Sequence, residues 1–270
     1  MNRMFLTALV LATMISGRPA AAIDGRDAHC RYKVANAART YTNYLLQRIS
    51  TCHQWRIKEK VSPAIDCNDP STWSANGYQR GTELMQKTLI KITRLAESCR
   101  PIGGTPASVG YTACPAPCGA VTISSFSDVA ACMSCLADSC AVPAAAAVTG
   151  TAPLPITHLA TRCQQILARK LQSYTVKRAF LEAACQYNKE LGKPAFVGLD
   201  CLDLDNPANN MHYVHERALT DLDIKIGNQC EPVDMTTEID SCATTPAGAI
   251  TCLRSNAAAC ADALFSASFP

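Results

Sequence analysis

Sixteen cysteines and five histidines carry most of the reactive chemistry in this 270-residue chain. The densest cluster is Cys132-Met133-Ser134-Cys135-Leu136-Ala137-Asp138-Ser139-Cys140, in which Cys132 and Cys135 are spaced C-x-x-C. That spacing serves a redox pair, half of a metal site, a haem anchor or a disulfide framework. A c-type haem needs histidine directly after the second cysteine, and Leu136 stands there. A thioredoxin-like pair sits beside a βαβ pattern, which is not visible in this sequence. A structural zinc site draws on two paired ligand sets, and there is a single C-x-x-C. The spacing therefore reads as a cross-link.

Compartment decides between thiols and cross-links. Residues 1–22 combine a short basic start, the apolar stretch FLTALVLATMI and the small residues Ala20, Ala21 and Ala22. This is the layout of a signal peptide cleaved after Ala22, too short in its apolar part to span a bilayer. The expectation is an exported protein, periplasmic or extracellular, with no integral membrane segment in the mature chain. All sixteen cysteines fall after residue 22, where export favours their oxidation. Removing Arg3 and Arg18 leaves 23 Lys and Arg against 22 Asp and Glu, which makes no electrostatic case for nucleic acid or anionic lipid.

Cysteine spacing also implies an internal repeat. Cys30 to Cys52 and Cys163 to Cys185 are both 22 residues; Cys132 to Cys140 and Cys252 to Cys260 are both 8. Thr40-Tyr41-Thr42 and Ser173-Tyr174-Thr175 share their offset from the leading cysteine, and Asp66-Cys67 matches Asp200-Cys201. Two copies are expected, at 24–142 and 158–270. Between them the uncharged Pro/Ala/Thr stretch 143–157 reads as a linker.

The elements that position these cysteines are helical. Cys30, Val34, Ala37, Tyr41, Leu45, Ile49 and Cys52 recur at steps of three and four. A second helix is expected from about Asn76 to Cys99, stopped by Arg100-Pro101, and a short third one over 127–138 with a counterpart over 247–264. The segments GAVTISSF and AFVGLDC are the only strand candidates, so the fold class is mostly α, as two tandem disulfide-clamped antiparallel hairpins with Cys-rich helical tails. On one helix Cys30 and Cys52 lie about 33 Å apart, too far to bridge. An antiparallel hairpin instead brings Cys30 to Cys99 and Cys52 to Cys67, and likewise Cys163 to Cys230 and Cys185 to Cys201. Subtracting cysteines with counterparts leaves Cys114 and Cys135 as an extra pair. Both copies hold odd numbers of cysteines, so one bridge should cross between them. Its candidates are Cys118, Cys132 and Cys140 against Cys242, Cys252 and Cys260, with Cys140–Cys260 preferred.

Asp66-Cys67-Asn68-Asp69-Pro70, Cys132-Met133-Ser134-Cys135-Leu136 and Ala261-Asp262-Ala263 give the chain a resemblance to a loose group of secreted, Cys-rich helical repeat proteins of environmental bacteria. The resemblance implies a fold and an export route, and no activity. The second copy departs from it in having Ser255 where the first has Cys135.

Other constellations weigh less. His212 and His215 stand at i and i+3, a possible metal clip, but in neither of the zinc-hydrolase arrangements H-E-x-x-H and H-x-x-E-H. Asp200, Asp203 and Asp205 lack the glycine and closing glutamate of a calcium loop, so N-capping of the next helix accounts for them better. Cys52-His53 suggests a thiolate–imidazole pair only if Cys52 is unbridged. Lys58, Lys60, Lys87, Lys91 and Arg94 interleave with acids and read as solvated surface. With no nucleophile elbow, phosphate loop or paired-carboxylate motif, the expectation is a non-enzymatic structural or binding module without cofactors. Its partner would be a protein or a small apolar ligand held between helices, and not nucleic acid. The alternative is a thiol–disulfide or electron-transfer protein working through Cys132 and Cys135.

Overall fold

A computed structural model describes residues 23–100, 104–150, 157–235, 237–239 and 241–270; the expected signal peptide lies outside the described residues. Six α-helices carry the fold: α1 Gly25–Ile57, α2 Gln79–Glu97, α3 Phe126–Thr149, α4 His158–Glu190, α5 His212–Cys230 and α6 Pro246–Ser268. No strand occurs among the described residues, and a 3-10 turn, Pro194–Phe196, overlaps the start of AFVGLDC. α1 and α4 each span 33 residues and α2 and α5 each span 19, while α3 and α6 span 24 and 23.

α1 and α4 pack along each other at the centre. Arg31 pairs with Glu190, Tyr32 stacks on Tyr187, and Gln172 donates to Asn43, so the two helices run antiparallel. α2 flanks α1, α5 flanks α4, and α3 packs on α6 across the central pair. This arrangement explains why α1 is apolar on more than one side. By helical spacing, buried Val34, Leu45 and Ile49 share one face and buried Ala35, Leu46 and His53 another. Small residues such as Ala37, Ala38, Ala130, Ala137 and Ala257, all nearly fully buried, let the helices approach closely.

Eight disulfides brace this packing, and no cysteine among the described residues is free. Cys30–Cys99 and Cys52–Cys67 close the two ends of the α1/α2 hairpin, with Cα atoms 5.1 and 5.4 Å apart. Cys163–Cys230 and Cys185–Cys201 do the same for α4 and α5, and Cys140–Cys260 ties α3 to α6. So many cross-links are typical of proteins of oxidising, exported environments.

Two expectations need correction. The expected Cys114–Cys135 pair does not form. Cys114 joins Cys132, Cys118 joins Cys135, and Cys242 joins Cys252 within its own half. On a helix, residues i and i+3 share a face, so Cys132 and Cys135 present two adjacent rungs to Cys114 and Cys118. The rung without a counterpart is thus Cys118–Cys135, and of the six candidates for crossing only Cys140 and Cys260 cross. The expected linker is also divided. Residues 143–149 continue α3 through Pro143, and 151–156 lie outside the described residues. α3 begins with a reciprocal Ser125–Asp128 capping box and is long and apolar enough to cross a bilayer, a length the sequence reading missed. In the fold 56% of its most apolar stretch is buried. It packs as a core helix against α1, α2 and α6.

Candidate functional site

A groove of about 530 Å³ runs between the two central helices. α1 contributes Arg39 and Asn43; α4 contributes Arg169, Gln172, Lys177 and Phe180. No Asp or Glu lines it. Phe180 holds the cations in place, with the Arg39 guanidinium 5.1 Å and the Lys177 ammonium 5.9 Å from its ring centre. Three other cations of these helices are ion-paired: Arg31 with Glu190, Lys170 with Asp221, and Arg178 with Glu182 and Asp262. The chemistry left to the groove is attraction of an anion. Net charge hid this feature. Between Asp27 and Glu59 there are six Lys or Arg and no acid, whereas residues 200–240 carry ten acids and two cations. A charge count by segment finds the groove's sign; its location needs the fold.

A second constellation lies where α4, α5 and α6 meet. The loop before α5 is folded by its own side chains. Leu202 donates its backbone N–H to Asp200, and Ala208 donates to Asn206. Buried Asn209 donates to the carbonyl of Asp203 and accepts from the N–H of Met211. This loop delivers Asp205 to His215, with Oδ1 3.2 Å from Nδ1, while Nε2 is 2.8 Å from the Tyr174 hydroxyl. Burial lowers the His215 pKa, against Asp205, and raises that of Tyr174, so the phenol keeps its proton and the chain of three groups positions more than it reacts. Beside it lies an open groove of about 300 Å³ with Thr251, Arg254, Ser255 and Ala258 on its wall. Behind it Arg178 reaches Glu182 at 2.7 Å, Asp262 at 3.0 Å and the carbonyl of Leu202. Burial drives the Glu182 carboxyl well above the usual range.

The residues weighed from sequence separate accordingly. His212 and His215 do not act together: His212 Nδ1 meets the carbonyl of Leu204 at 3.1 Å. The acidic run does not cap α5, whose N-cap is Met211 without a side-chain bond; Asp205 turns to His215 instead. His53 is buried between Asn68 at 3.1 Å and Arg56 at 3.2 Å, and burial lowers its pKa to about 4. It braces the Cys52–Cys67 turn as a neutral imidazole, with Cys52 bridged. Cys132 and Cys135 are each bonded to a loop cysteine and not to one another. An enclosed cavity beside Ser50, His53 and Gln164 has no room for water.

The chain matches no family model, no curated protein and no solved structure.

Proposed function

We propose that this is an exported, disulfide-braced binding module, built from two copies of one helical unit, that takes an anionic ligand in the groove between α1 and α4. One observation carries the reading: Arg39, Arg169 and Lys177 converge on an open groove without a carboxylate in its lining, in a chain otherwise near charge balance. The disulfides support it indirectly, because a cross-linked scaffold keeps those cations at fixed spacing and lowers the ordering cost of binding. A thiol–disulfide role is less supported, since Cys132 and Cys135 are bonded to separate partners and Cys132 is fully buried.

The test compares dextran sulfate with uncharged dextran on the purified, oxidised protein. The sulfated polymer should bind, lose affinity as salt rises, and bind at least about tenfold more weakly to an Arg169→Glu, Lys177→Glu variant. Equal binding of both polymers, or an unchanged affinity in the variant, would overturn the assignment.

A further inference from the structure

The cluster around His215 has a feature that the hydrogen-bonded chain with Tyr174 does not use. A ring nitrogen of His215, a carboxylate oxygen of Asp205 and one of Glu216 all lie within 4.8 Å of one another, and Nδ1 is the nitrogen beside Asp205. His215 is 1% exposed, and its Nδ1 makes no well-formed hydrogen bond despite the Asp205 oxygen 3.2 Å away. Among the described residues no Lys or Arg forms an ion pair with either carboxylate. A buried nitrogen and two carboxylates this close can share one cation, and Arg254, the arginine on the groove wall, makes no ion pair with either carboxylate.

We propose that His215, Asp205 and Glu216 form a binding site for one first-row divalent cation, with Zn²⁺ the best match to one nitrogen and two oxygen donors. Imidazole and carboxylate are both ordinary zinc ligands at about 2.0–2.2 Å, which in a tetrahedral site places donor atoms about 3.4 Å apart. From spacings of at most 4.8 Å, reaching that distance asks for shifts of up to about 1.4 Å, and both carboxylates are on exposed side chains, Asp205 at 67%. The remaining nitrogen is already fixed. Tyr174 Oη sits 2.8 Å from Nε2, the outer hydrogen bond that orients a ligating imidazole. Three protein donors leave the fourth position of a tetrahedral ion to water, on the side of the groove lined by Thr251 and Ser255. The site involves α5 and its preceding loop, and does not depend on the α1/α4 groove.

The experiment is calorimetric titration of Zn²⁺ into the full oxidised protein after chelator treatment, repeated with Co²⁺ to read the coordination from its visible spectrum. One equivalent should bind, and Co²⁺ should give a low-coordinate spectrum. Asp205→Asn and Glu216→Gln, both surface changes, should each weaken binding by about tenfold or more, and a His158→Gln control should not. No binding at a molar excess of Zn²⁺ would overturn the site. So would unchanged affinity in both carboxylate variants, or loss of affinity in the control.

Discussion

The two halves of the molecule share a helical plan and fill it with opposite chemistry. At the same offsets from Cys30 and Cys163, α1 has Leu45 and Ile49 where α4 has Arg178 and Glu182; counted from Cys132 and Cys252, Val142 faces Asp262. The buried positions of α2 are Gly81, Met85, Thr88, Ile92 and Ala96, and those of α5 are His215, Leu219, Leu222, Ile226 and Cys230, so His215 stands where Gly81 does. The N-terminal half fills this space with Trp73 and Tyr78, rings 5.2 Å apart and both buried. The C-terminal half fills it with an imidazole, a guanidinium and two carboxylates. Ser255 and Ala258 replace Cys135 and Asp138, removing a cross-link and a carboxylate, and that is where the 300 Å³ groove opens. Apolar filling and a second rung brace one half; polar filling leaves a groove open on the other.

The largest effect should come from the bond that holds the two halves together. Cys140–Cys260 spans 120 residues, shortened through Cys163–Cys230, and its removal by paired Ala substitution should cost about 4 kcal/mol in chemical unfolding. Removing Cys118–Cys135, whose loop is cut short by the adjacent Cys114–Cys132 bond, should cost about 2.5 kcal/mol. Equal losses would mean that the crossing bond adds no restriction beyond the local ones. A protease site introduced between Gly150 and Thr157 provides the direct check: after cleavage, one band that separates only on reduction.

Next comes the buried charge. Arg178→Ala leaves Glu182, fully buried, without its cation and should destabilise by about 3 kcal/mol. Importing the other half's set, Arg178→Leu with Glu182→Ile and Asp262→Val, should recover most of that loss, because apolar groups replace an ion network without leaving an orphan. A triple variant worse than Arg178→Ala would show that the two halves are not interchangeable in shape.

A smaller effect separates Gly81 from His215. A Cβ at Gly81 would overlap the Tyr78 ring, so Gly81→Ala should cost about 2 kcal/mol through overpacking, although alanine is the better helix former. A neutral or stabilising result would show that Tyr78 can shift away.

These contrasts mark what could be read from the chain alone. Cysteine spacing with helix geometry was enough to bring Cys30 to Cys99 and Cys163 to Cys230, because a 33-residue helix leaves few ways to satisfy both ends. Counting could not order Cys114 and Cys118, which differ only in the rung they face. α3 was read short because Pro143 and an alanine run look like a linker; the end of a helix packed on three others tolerates a proline that a lone helix would not. Arg178 and Glu182 at i, i+4 are visible in sequence, but their burial comes from α6 delivering Asp262 across the bundle. Asp205 and His215 each stand out in the sequence, and only the folded loop joins them.

The last contrast concerns the shared tyrosine. Tyr174 meets His215, whereas Tyr41 donates to Asp138 at 3.1 Å, and the position matching Asp138 in α6 is Ala258. Burial raises the Asp138 pKa from 3.8 to about 6, with the Tyr41 hydrogen bond opposing it. The folded state therefore holds this proton more tightly than the unfolded chain. Its stabilisation is complete below about pH 4 and is lost as pH rises through about 6. Asp138 is partly exposed, so the contribution should be about 1 kcal/mol, less than the full shift implies. Asp138→Asn removes the titration while keeping a hydrogen-bond acceptor for Tyr41. The difference in stability between the natural protein and this variant should move in favour of the variant by that amount between pH 4 and pH 6.5, then level off. Taking the difference cancels the opposite trend from His53, whose lowered pKa costs stability as pH falls. A difference that is flat over this range, or that favours the natural protein as pH rises, would show that Asp138 is ionised in the fold at an ordinary pKa and that Tyr41 stabilises the anion.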